Sequence, residues 1–214
     1  LELTDLLRCA LERAPREARE QLLKRACELA GVQDLSAELS AWEPDPLCNV
    51  LIGGVYWDDL GRAQVTLERL RRQLGTPPTM ALGPVPNLMF MRDPCIAVAD
   101  KVIVGRMATP ARSREPAVVS FALEHGGVAR SEDLIFKADD DHRHRSFRCL
   151  EGGDLLVISP RMLLIGCSER TSAQTIERLA AEALFPTFAA RARVYAGLRP
   201  VARSGMPLDP VVTQ

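Results

Sequence analysis

The chain has 214 residues, 47% hydrophobic and 26% charged, a composition that supports a packed core and excludes a disordered chain. Lys plus Arg (27) nearly balances Asp plus Glu (28), so no bulk positive field exists to hold nucleic acid or an anionic membrane, and a small-molecule or protein partner is favoured. No apolar run reaches the roughly 18 to 20 residues that cross a bilayer, and the N-terminus lacks a basic signal-peptide region, so a cytoplasmic location is expected.

Leu3, Leu6, Leu7, Ala10 and Leu11 recur at helical spacing, and after Pro15 so do Ala18, Leu22, Ala26 and Leu29, with Gly31 as a C-cap signal. A third helical run follows Asp58 and Asp59, carrying Leu60, Ala63, Leu67, Leu70 and Leu74 on one face and stopping at Gly75-Thr76-Pro77-Pro78. Residues 1–76 therefore read as a helical subdomain. Beyond the prolines the pattern changes to short β-type runs, among them Cys95–Val98, Lys101–Val104, Leu155–Ile158 and Met162–Ile165. Ser159-Pro160-Arg161 reads as the hairpin turn between the last two. Helices are predicted over Glu115–His125 and Ser172–Leu184, the second opened by a capping box from Thr171 to Gln174. Residues 77–214 are thus a mixed α/β domain, and no internal repeat stands out in the residues. The six cysteines are widely spaced, with no Cys-x-x-Cys pair, and read as buried free thiols with no metal site.

Two stretches concentrate residues that a plain core does not need. In Asn87-Leu88-Met89-Phe90-Met91-Arg92-Asp93-Pro94 the proline biases Asp93 away from helix, towards a strand end or turn where its carboxylate can face a cleft. In Glu151-Gly152-Gly153-Asp154 two acids flank a glycine pair directly before an apolar strand, and glycines without Cβ admit a ligand or a neighbouring backbone. Carboxylates suit a guanidinium, whose planar fork of N–H donors takes charge-assisted pairs. Without further context both stretches also read as turns, and Arg112, in a charged run, as part of a solvated face.

Together with Met107-x-x-Pro110-Ala111-Arg112 and Ser168-Glu169-Arg170-Thr171, these motifs stand in the order found in arginine deiminases, and Leu51-Ile52-Gly53-Gly54 is similar to the end of that family's helical insertion. The resemblance covers nearly the whole chain. It implies an α/β fold, part of a pentein-type propeller with an inserted helical subdomain, and hydrolysis of L-arginine to citrulline and ammonia without metal or cofactor. Residue by residue, it implies that Asp93 and Asp209 pair with the substrate guanidinium and that Glu151 assists in proton handling. Asn87, Arg112 and Arg170 would hold the substrate carboxylate, Phe90 would wall the side-chain slot, and Asp154 would contact substrate or organise its loop.

The sequence departs from the family at Pro207, which stands where the catalytic histidine is expected and has neither a titratable group nor an N–H. None of the six cysteines matches the family's nucleophile, and His125, His142 and His144 match no family position. The chain as given is therefore expected to be inactive, with a non-catalytic guanidine-binding protein or a fragment as the alternatives to an active deiminase. Absent propeller modules would leave strand edges unpaired, so homo-oligomers are a further expectation.

Overall fold

A computed structural model of the chain describes residues 2–60, 73–75, 79–138, 149–159, 162–188 and 193–198. Most of the third helical run falls outside them, as do His142, His144, Pro160, Arg161, Pro207 and Asp209.

Helix α1 (Leu3–Arg13) buries Leu6, Leu7, Ala10 and Leu11, the stripe its spacing predicts. After Pro15, α2 (Arg16–Ala30) buries Leu22, Leu23, Ala26 and Cys27, while Ala18 and Leu29 are only half-buried. Gly31 closes it in the left-handed conformation, φ 74°, which costs a residue without Cβ little. Two helices escape the sequence pattern. α3 (Leu35–Leu39) is too short to show a period. α4 (Pro44–Gly53) opens on Pro-Asp-Pro, which reads as a breaker, yet the first helical turn needs no N–H from proline.

The short strands β1 (Val55–Tyr56) and β2 (Met80–Leu82) pair antiparallel beneath these helices. One buried cluster joins α1 to α4 with Val55, Ala81 and Leu82, and with Val118, Phe121 and Ala122 of α5 (Glu115–His125). Each fully buried leucine in it contributes on the order of 1.5–3 kcal/mol. The helical part thus shares its core with a helix from the α/β part.

The rest of the described chain follows one plan twice. β3 (Cys95–Val98) pairs antiparallel with β4 (Lys101–Val104), α5 follows, and β5 (Leu134–Lys137) returns parallel to β4. Likewise β6 (Leu155–Ser159) pairs antiparallel with β7 (Met162–Cys167), a helix follows, and β8 (Arg193–Leu198) returns parallel to β7. That second helix, α6 (Ala173–Leu179), runs on through a wide π turn at Ala180–Leu184 into α7 (Phe185–Phe188), past its predicted end. Its cap is Ser172, whose hydroxyl accepts from the Thr175 N–H, and not the predicted Thr171. The chain therefore does contain an internal repeat, carried by topology where the residues show none. The two sheets share a second buried cluster, with Ile96, Ile103 and Phe136 from one and Leu155, Leu163 and Ile165 from the other.

Among the described residues no helix is long and apolar enough to cross a membrane, and no group of His, Cys, Asp and Glu could hold a metal ion. All six cysteines are free; Cys27 and Cys48 are buried as expected, whereas Cys9, Cys95, Cys149 and Cys167 are partly exposed.

Candidate functional site

The segment before β3 is a chain of tight turns, because the Leu88, Phe90 and Asp93 N–H groups donate to the carbonyls of Val85, Asn87 and Phe90. Val85 and Leu88 pin it against Val119 of α5, which leaves Phe90 56% exposed and buries Asp93. Opposite, Arg106 and Leu150 exchange both backbone hydrogen bonds in an isolated antiparallel bridge. Gly105 has to be glycine there, since a Cβ would strike the Leu150 carbonyl oxygen. The same holds for Gly152, where a Cβ would overlap the Arg92 carbonyl oxygen. The three loops are thereby pressed together, and Arg92 adds a bond from Nη2 to the Leu155 carbonyl, 2.9 Å.

This contact brings Asp93 and the Glu151–Asp154 turn side by side, each directly ahead of the first strand of its module. The Gly152 N–H donates to the Asp93 carbonyl (3.0 Å) and the Gly153 N–H to Asp93 Oδ1 (3.2 Å). Asp93 Oδ2 accepts from Arg112 Nη1 at 2.8 Å. Arg112 ends a 3₁₀ turn (Pro110–Arg112), and its remaining donors close on Glu115 at the head of α5: Nε at 3.0 Å and Nη2 at 2.8 Å. Its guanidinium also stands 6.0 Å over the Phe90 ring. Arg112 is 6% exposed and Glu115 fully buried, so the solvated-face reading of Arg112 is wrong. Burial opposes the charge on Arg112, but the bonds to Glu115 and Asp93 outweigh it and hold the guanidinium above its ordinary pKa.

Glu151 is 1% exposed. Its Oε1 accepts from the Ala108 N–H (3.1 Å), and Arg170 Nη1 lies 3.4 Å from Oε2. Burial pushes its carboxyl up; the Ala108 N–H and then the charges of Arg170 and Arg112 pull the other way without cancelling the rise. Thr171, the residue expected to cap a helix, instead accepts the Glu151 N–H on its hydroxyl at 3.2 Å. Asp154, fully buried, accepts from Ser168 Oγ at 2.6 Å, and the same hydroxyl accepts from the Arg170 N–H.

Asp93, Arg112, Glu151, Asp154 and Arg170 are thus assembled from four loops, with Phe90 at the rim. Asn87 sits one turn away, and among the described residues no hydrogen bond joins its side chain to the others. Asp209 lies outside the described residues. Glu115 escaped sequence reading, because an acid in the first turn of a helix is common and carries no signal of its own.

A cleft of about 1060 Å³ lies between α2 and α5, with Met107 and Ala108 in its wall, and none of the seven predicted site residues that the structure describes lines it. Cys149 and His125 both line that cleft, the His125 ring 4.6 Å from that of Phe121, and burial pushes the Cys149 thiol upward in pKa. Neither group addresses Asp93.

A family model described as arginine deiminase matches residues 1–214. The arginine deiminase of Staphylococcus epidermidis is 35% identical over 167 residues, 78% of this chain and 39% of that protein. That of Listeria monocytogenes is 41% identical over 132 residues, 62% of this chain and 31% of that protein. The chain spans about a third to two fifths of the length of these relatives. A solved structure of DDAH from Pseudomonas aeruginosa complexed with citrulline is 16% identical, covers 71% of this chain and 58% of that one, and aligns with a TM-score of 0.43.

Proposed function

We propose, from the premise that this chain belongs to the arginine deiminase family, that the loops around Asp93 form the guanidine-binding part of a site that hydrolyses L-arginine to citrulline and ammonia. The observation that carries this reading is that Asp93 already holds a guanidinium, that of Arg112, at 2.8 Å, while a backbone N–H fixes its other oxygen.

In this reading Asp93 orients the planar cation, with Asp209 as its second partner. Glu151, kept from ionising at the ordinary carboxylate pH, exchanges protons with the guanidine nitrogens. Arg170, Arg112 and Asn87 address the carboxylate end, and Asp154 fixes the Ser168–Arg170 loop through the Ser168 hydroxyl. The reaction in the whole protein runs through a thiol-bound amidino intermediate and needs no metal or cofactor. A cytoplasmic location and homo-oligomers belong to the same reading. Residues 1–76 are read as the helical subdomain, and the two repeated strand–strand–helix–strand units as modules of a pentein-type propeller.

Pro207 favours a second reading, a guanidine-binding protein without turnover. Both readings predict that arginine raises the melting temperature of the chain, since a ligand of the folded state stabilises it by mass action. Asp93→Asn removes most of that rise, and citrulline and lysine, which lack the cationic fork, give much less. Equal shifts from lysine and arginine would sink the guanidine site. No citrulline release is expected from the 214 residues alone on either reading, and release would exclude the reading without turnover.

A further inference from the structure

We propose that Arg112 is a displaceable occupant of the guanidinium site, tethered by Glu115, and that exchange with it selects ligands carrying both a guanidinium and a carboxylate. The inference rests on the guanidine-binding reading above and adds an internal competitor to it. Both oxygens of Asp93 are engaged, Oδ1 by the Gly153 N–H and Oδ2 by Arg112 Nη1 at 2.8 Å. The backbone donor belongs to a tightly packed turn and cannot leave. Arg112 can, because only one of its three donor positions serves Asp93 while Nε and Nη2 remain on the buried Glu115.

An incoming guanidinium therefore takes Asp93 Oδ2 and frees Nη1. The freed N–H is buried and has lost its acceptor, a costly state for a charged donor. A carboxylate on the same ligand relieves it. A ligand without that carboxylate leaves Nη1 unpaired and binds at a disadvantage. Glu115 is the positioning residue of this exchange: it keeps Arg112 within reach of the ligand after Asp93 is given up.

The test compares arginine with ethylguanidinium, which has no carboxylate, by calorimetric titration. Arg112→Ala would leave two carboxylates without their cation, so the informative variant is Arg112→Met with Glu115→Met, an apolar replacement of a buried pair that proteins commonly tolerate. In it the apparent Kd for ethylguanidinium is expected to fall on the order of tenfold, the factor gained when about a tenth of the molecules were competent before. The preference for arginine over ethylguanidinium should shrink in parallel. In the unaltered chain the Nε–Hε resonance of Arg112, observed in ¹⁵N-arginine-labelled protein, should persist and move as ethylguanidinium saturates. An unmoved resonance during binding that Asp93→Asn abolishes would overturn the exchange, and so would equal Kd values in the two proteins, with the guanidine site left standing. Binding of neither ligand to either protein removes the guanidine-binding reading and this proposal together.

Discussion

The two strand–strand–helix–strand modules place their key residues at corresponding points, yet they treat their arginines differently. Arg112 and Arg170 each lie three residues ahead of the first residue of the helix that follows, and each reaches the acid that precedes a first strand. In the first module α5 begins with Glu115, which locks Arg112 in a buried triad. In the second module α6 begins with Ala173, so Arg170 keeps a side chain 35% exposed and stands 3.4 Å from Glu151. A single residue at a helix start thus separates a buried guanidinium tethered at its Nε and Nη2 from a half-exposed one, although the backbone plan is shared.

Breaking the locked side should have the largest effect. Arg112→Ala leaves Asp93 and Glu115 buried without their cation and is expected to cost roughly 3–5 kcal/mol, read as a fall in the urea midpoint. A loss under about 1 kcal/mol, the level of an exposed pair, would mean that the two modules do not differ in this respect. Next comes the contact that joins the modules. Gly152→Ala drives a methyl into the Arg92 carbonyl and should cost about 1–3 kcal/mol while weakening arginine binding, because the Asp93 loop must move. Retained binding at full stability would show that the loops are not pressed together.

On the open side the effects are smaller. Ser172→Ala removes the hydroxyl that caps α6 and should lower stability by about 1 kcal/mol in thermal or urea unfolding. The corresponding first-module residue, Arg114, makes no side-chain cap. The smallest effect is one of pH. Folded Glu151 keeps its proton above the value near 4.5 at which the unfolded chain releases it, so the folded state binds more protons in that window. Its contribution to stability therefore falls as pH rises through the window. Glu151→Gln should flatten the fall, and Arg170→Ala should extend it upward by removing a nearby positive charge. A steeper dependence in the glutamine variant would reverse the sign and contradict the burial of Glu151.

Much of this was legible in the residues, for reasons that differ along the chain. The hairpin strands and α5 follow from apolar patterning because each buries one face against a neighbour, and α5 runs over Glu115–His125 as its spacing predicts. β8 and the parallel pairing of β5 were not legible, since their partners lie across a helix and leave no mark in the local pattern. For the site, motif order brought Asp93 and Glu151 into one hypothesis, but nothing local revealed that Arg112 already occupies Asp93. That fact depends on Glu115, a residue whose type and position are ordinary.

The bridge between Arg106 and Leu150, where the loops are pressed together, also bears on the time course of folding. Of the helices, α2 and α3 pack on each other close in sequence, whereas α1 packs on α5 from the other half of the chain, and the bonds from Gly153 to Asp93 and from Ala108 to Glu151 join residues 60 and 43 positions apart. Closing such loops is an entropic cost met before the contacts stabilise anything, and non-local contacts of this kind slow folding. The α2–α3 pair should accordingly acquire its amide-exchange protection early, and α1 and Glu151 to Asp154 should gain theirs later.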